Sequence, residues 1–159
     1  MSETEQLRQA VRAAIADNTF CTLATSSAAN RPHVVGVLYV AVDGVLYVST
    51  SDTSIKARNI GQNPHVAVCI PLPPQPGLPP LCVQFQGTAE VCALQDPRMV
   101  ALLGTGQLDA ITGHGALDVP GSCLLRITPG RRVATYGVGV PLDELMRDPM
   151  HADRSVVLS

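Results

Sequence analysis

The chain has no tryptophan, and aromatic residues fill only 3% of its 159 positions. Its core must therefore be built from Val, Leu, Ile and Ala, and the β-branched share of that set favours strands. Charge is scarce too: 15% of residues are Asp, Glu, Lys or Arg, with a formal net charge of −2. Binding along a nucleic-acid backbone needs a basic stripe, and none is present. No apolar run is long enough to span a bilayer, and the opening Ser2-Glu3-Thr4-Glu5 is acidic where a secretory leader is basic. The five cysteines, at 21, 69, 82, 92 and 123, lack CxxC or Cys/His ligand spacing. They read as small apolar residues of a reduced, cytoplasmic protein, with no metal site and no disulfide framework. There is no GxGxxG after the first strand and no GxxxxGK[ST], so the usual dinucleotide and nucleoside-triphosphate loops are excluded.

Lysine is the scarcest charge. Lys56 is the only one, beside ten arginines. It lies in Ser49-Thr50-Ser51-Asp52-Thr53-Ser54-Ile55-Lys56-Ala57-Arg58-Asn59, where hydroxyls crowd ahead of an ammonium and a guanidinium. Such a mixture suits an anion: a compact charge, a bidentate fork, and hydroxyls with turn amides for the remaining oxygens. The plainer reading is a solvated helix face.

What remains reads as one domain over residues 1–159. Leu7, Val11, Ala14 and Ile15 recur at helical spacing and predict an N-terminal helix over about 5–17. Strands are expected over 20–25, 33–42, 45–50, 65–70, 81–92, 122–128 and 132–136. Asp43-Gly44 between two valine-rich runs is a hairpin signal, because both turn positions of a type I′ turn need positive φ. Asp52 or Thr53 is expected to cap a short helix ending at Gly61. Pro71 to Pro80 cannot be a central strand; Gly87 marks a bulge or a close backbone approach. Further helices are expected over 94–103 and 141–146, an irregular glycine-rich connection over 104–121, and a tail over about 148–159 that is loose or docked on a partner. Helices do not alternate with strands, so a doubly wound parallel sheet is excluded and an antiparallel barrel with peripheral helices fits.

Several of these segments, in order, resemble one family. Thr22-Leu23-Ala24-Thr25, Arg31-Pro32-His33-Val34-Val35, the Asp43-Gly44 hairpin, Ser54 to Ile60, and Asn63-Pro64-His65-Val66-Ala67-Val68 look like the pyridoxamine 5′-phosphate oxidase-like split β-barrel superfamily. Gln86-Gly87-Thr88-Ala89 matches that family's long strand. The resemblance implies a mainly β fold with peripheral helices, a six-stranded antiparallel split β-barrel. It further implies a homodimer with a flavin-type cofactor, FMN or the deazaflavin F420, in each interfacial cleft. The actinobacterial F420 branch carries the same Lys-x-Arg-Asn pattern, and the alanine-rich, lysine-poor composition is associated with GC-rich genomes of that kind.

The implied activity is that of an oxidoreductase moving a hydride between F420 or FMN and a small conjugated substrate. The alternative is a non-catalytic flavin- or haem-binding or storage protein. Cofactor contacts are expected from Lys56, Arg58, Thr50, Ser51 and Ser54. Asn59 either bonds the cofactor or caps the helix. Pro32 and His33 fall where the family runs a strand along the isoalloxazine ring, although a lone histidine in an apolar run is also an ordinary packed residue. No catalytic side chain can be named, and none is required where the cofactor carries the chemistry. The substrate-binding arginine and histidine of the true oxidases have no clear counterpart near the C-terminus, which argues against vitamin B6 oxidation.

Overall fold

The computed structural model describes residues 1–158. Helix α1 (Glu3–Asp17) leads into β1 (Phe20–Ser26), β2 (Pro32–Leu38), β3 (Val40–Val42) and β4 (Val45–Ser51). Helix α2 (Ile55–Gln62) is followed by β5 (His65–Pro71), β6 (Cys82–Ala93), α3 (Pro97–Gly104) and the single-turn α4 (Asp109–Thr112). The long strand β7 (Ser122–Tyr136), α5 (Leu142–Arg147) and β8 (Asp153–Val157) complete the chain.

All eight strands join one antiparallel sheet in the order β2-β1-β5-β6-β7-β4-β3, with β8 paired to β7. The two ends of this path, β2 and β3, are separated in sequence by Tyr39 alone. The sheet must therefore curl until its edges approach, which makes the half-barrel. Tyr39 fixes that corner: its ring is buried, its amide donates to Thr19 O at 2.8 Å, and its hydroxyl donates to Ile15 O at 2.8 Å.

The expected count of six strands is corrected to eight. Residues 33–42 break at Tyr39 into two strands because the chain crosses there from one sheet edge to the other. The two late strands are one, since Pro129-Gly130 bends β7 without ending it. The register shifts between Phe85 and Gly87, and a Cβ on Gly87 would sit 2.3 Å from Thr128 O. Both readings of that glycine therefore hold. Residues 153–157 of the expected tail pair with β7 of the same chain.

Asp43 and Gly44 have φ of 51° and 78° with Val42 opposite Val45, the backbone that a two-residue type I′ hairpin needs. The main core fills the concave face with Leu23, Ile70, Val83, Leu125, Ile127 and Val133, all 0% exposed. Each such side chain contributes about 1.5–3 kcal/mol by leaving water. A second cluster, Tyr47, Cys92, Met99, Leu108 and Leu124, lies on the other face of β4, β6 and β7 beneath α3 and the segment after it. That segment, expected to be irregular, folds into α4 and a 3₁₀ turn at Ala116–Asp118.

Candidate functional site

Strand β4 ends in the hydroxyl-rich turn that feeds α2. Ser54, not Asp52 or Thr53, is the cap: its Oγ accepts from Ala57 N at 3.2 Å and from Thr50 Oγ1 at 3.3 Å. With both acceptor positions used, the Ser54 hydroxyl keeps one proton to donate. Ser51 Oγ and Thr53 Oγ1 lie 2.8 Å apart, and Ser51 Oγ also accepts from Thr53 N at 3.2 Å. These bonds set the turn that presents the first residues of α2.

Lys56 occupies the second position of α2 and is half-buried. It lines a cavity of about 430 Å³ together with Gly36 and Leu38 of β2, Val48 and Ser49 of β4, and residues between 110 and 116, among them Ile111 and His114. The first turn of α2 holds no acidic residue. Lys56 is felt inside the protein as well. Burial pushes the Cys123 thiol up and Asp52 adds to this, while the Lys56 ammonium opposes it.

None of the other residues expected at the site lines this cavity. Arg58 is exposed and folds back so that its Nε donates to Thr53 O at 2.9 Å. Two residues beyond Lys56 on a helix, it faces the other way. Asn59 turns inward, 7% exposed, and its Nδ2 donates to Thr25 Oγ1 at 3.0 Å, pinning α2 to β1. Pro32 is exposed at the start of β2, opposite Ser26. His33 is half-buried opposite Thr25, and its Nδ1 is enclosed without a hydrogen-bond partner. A polar atom left in that condition costs about 1–3 kcal/mol.

Sequence reasoning did not single out Thr25 or the wall made by residues 110–116. Thr25 had a signal, since it continues the inward-facing series Cys21, Leu23 in β1. The wall had only glycines at 113 and 115; His114 takes a left-handed φ of 58° between them. No group of three or more His, Cys, Asp or Glu among the described residues is placed to hold a metal ion. Among those residues, too, no helix is long and apolar enough to cross a membrane.

The family model described as pyridoxamine 5′-phosphate oxidase matches residues 7–131, most of the chain. The chain belongs to the pyridoxamine 5′-phosphate oxidase family. Among curated proteins none matches its sequence. Among solved structures it is similar to the heme storage protein HutZ from Vibrio cholerae, with TM-score 0.67, 19% identity, and coverage of 87% of this chain and 98% of that one. It is also similar to a heme binding protein from Mycobacterium smegmatis, with TM-score 0.73 and 18% identity. That match covers 95% of this chain but 57% of the other. A FAD-binding protein from Mesorhizobium loti gives TM-score 0.63 and 22% identity, covering 79% and 90%. At these identities the likeness is one of fold.

The family's cofactor can be tested against the residues present. A half-buried ammonium and a first helical turn free of carboxylates fit a phosphate. The apolar stretch of β2 and Val48 beside them fits a flat ring system.

Proposed function

We propose that this chain is a homodimeric, cytoplasmic oxidoreductase that holds F420 or FMN and moves a hydride to or from a small conjugated substrate. One observation carries the reading: the sole lysine sits in the acid-free first turn of α2 and lines a cavity. A cation there opposes the positive end of the helix, at a cost of about 0.3–1 kcal/mol, unless an anion is held between them. The bound cofactor supplies the redox chemistry. The protein's share is to hold the phosphate with Lys56, Ser54, Thr50 and Ser51, to shape ring access with Pro32 and His33, and to place Arg58 and Asn59 on the flanks of α2.

A dimer is supported by the convex side of β1 and β2, where the paired Phe20 and Leu38 are 45% and 60% exposed and Val34, further along β2, is 64% exposed. Apolar surface gathered on one face marks an interaction site.

A second reading, a non-catalytic flavin- or haem-binding or storage protein, is supported by the likeness of fold to a heme storage protein and a heme binding protein. Absorption of the purified protein separates the readings: a flavin or deazaflavin band supports the first, and a Soret band the second. Fluorescence titration with FMN and with F420 then tests the first directly. Saturable binding of one of them is expected, weakened at least tenfold in the Lys56→Ala variant, since a charge-assisted bond contributes about 1.5–3 kcal/mol. Failure of both to bind would remove the proposal.

A further inference from the structure

The five cysteines divide into two kinds. Cys21, Cys92 and Cys123 are 0%, 2% and 3% exposed, sealed in the cores. Burial, with Cys69 nearby, pushes the Cys21 thiol up to about 12; burial, with Glu90 nearby, pushes Cys92 up to about 11. Cys69 and Cys82 instead lie half-buried on the convex face of neighbouring strands. Cys69 is opposite Gln84 and Pro71 opposite Cys82, so the two cysteines are diagonal neighbours across the β5–β6 ladder. The Cys82 thiol lies near enough to Cys69 to act on its pKa.

Diagonal residues on an antiparallel pair stand about 7–8 Å apart at Cα, slightly beyond the usual disulfide span, so closure asks for a shift of about 1 Å. The position allows it. The pair Pro71/Cys82 ends the ladder, followed only by a bond from Leu72 N to Leu81 O at 2.9 Å before the proline-rich loop.

We propose that Cys69 and Cys82 form an oxidation site at which a hydroperoxide joins β5 to β6 through a disulfide. The Cys82 sulfur, at the ladder's end, attacks the peroxide oxygen; the O–O bond breaks, an alcohol or water leaves, and Cys82 becomes a sulfenic acid. The Cys69 sulfur then displaces the sulfenic oxygen as water. Both thiol protons end in those two products, the peroxide is reduced, and the two sulfurs are oxidised by one electron each. Burial and the neighbouring Cys82 raise the Cys69 thiol's pKa, which makes Cys69 the poorer nucleophile for the first step. The inference does not depend on the cofactor.

The test uses the whole reduced chain, hydrogen peroxide as oxidant, alkylation and tryptic mapping. The fragment running from Asn59 to Arg98 contains no internal Lys or Arg and carries Cys69, Cys82 and Cys92. Expected is loss of two hydrogens from that fragment with Cys92 still alkylated, reversed by dithiothreitol. In Cys69→Ser, a 1,3-dione probe for sulfenic acid should label Cys82. Oxygen addition to single cysteines without a cross-link, a bond linking two chains, or unchanged thiols in the wild-type chain would each overturn the proposal.

Discussion

Helices α1 and α2 begin with the same cap and opposite charge. Ser2 Oγ accepts from Glu5 N at 3.2 Å, and Ser54 Oγ accepts from Ala57 N at 3.2 Å. Beyond the cap they diverge. The first turn of α1 carries Glu3 and Glu5, with Glu5 paired to Arg8, whose Nε also donates to Val157 O at 3.0 Å. Its positive end is neutralised within the fold, and the helix serves to tie the C-terminal strand to the barrel. The first turn of α2 has no acid and one lysine, the arrangement that self-contained helices avoid. The shared cap belongs to folding, and the difference in charge is what the proposed anion site rests on.

The comparison can be broken most strongly at Lys56. Replacing it with Met should lower cofactor affinity about tenfold to a hundredfold, from the 1.5–3 kcal/mol of one charge-assisted bond, while the melting temperature stays level or rises. A loss of stability with affinity intact would make α2 another structural helix. Next in size is Asn59→Ala, which removes the bond to Thr25 and leaves that hydroxyl buried; denaturant unfolding should show a loss of about 1–3 kcal/mol. Ser54→Ala and Ser2→Ala make the sharpest pair. Each should cost about 1 kcal/mol in thermal unfolding, with only Ser54→Ala also weakening cofactor binding in titration. Smallest is Glu5→Gln, expected to destabilise α1 by about 0.3–1 kcal/mol with no change in cofactor affinity. If it altered affinity, the division between the two helix ends would fail.

Much of the fold could be read from local chemistry. The Asp43-Gly44 turn needs positive φ at both residues, and the periodicity of α1 needs only spacing, so neither depends on distant contacts. What could not be read depended on tertiary placement. Tyr39 continues a valine-rich run and differs from it only in packing under Ile15, which splits β2 from β3. Strand β8 pairs with a segment more than fifteen residues earlier, and Pro129-Gly130 has breaker composition yet lies within a bent strand.

The candidate site divides in the same way. Lys56 stood out because it is unique, and the hydroxyls because they cluster. The inward turn of Asn59 and the folding back of Arg58 onto Thr53 follow from the rotation of a helix whose facing is set by its packing on β1. His114 reaches the cavity through a segment whose glycines indicated only flexibility.

The most direct test pairs the ligand's phosphate with Lys56. Whichever of FMN and F420 binds is titrated alongside its counterpart lacking the phosphate, riboflavin or the deazaflavin chromophore without its phosphate-bearing tail, using the wild type and Lys56→Met. The account predicts that the wild type favours the phosphorylated form by tenfold or more and that most of this preference disappears in the variant. An equal preference in both proteins would contradict it.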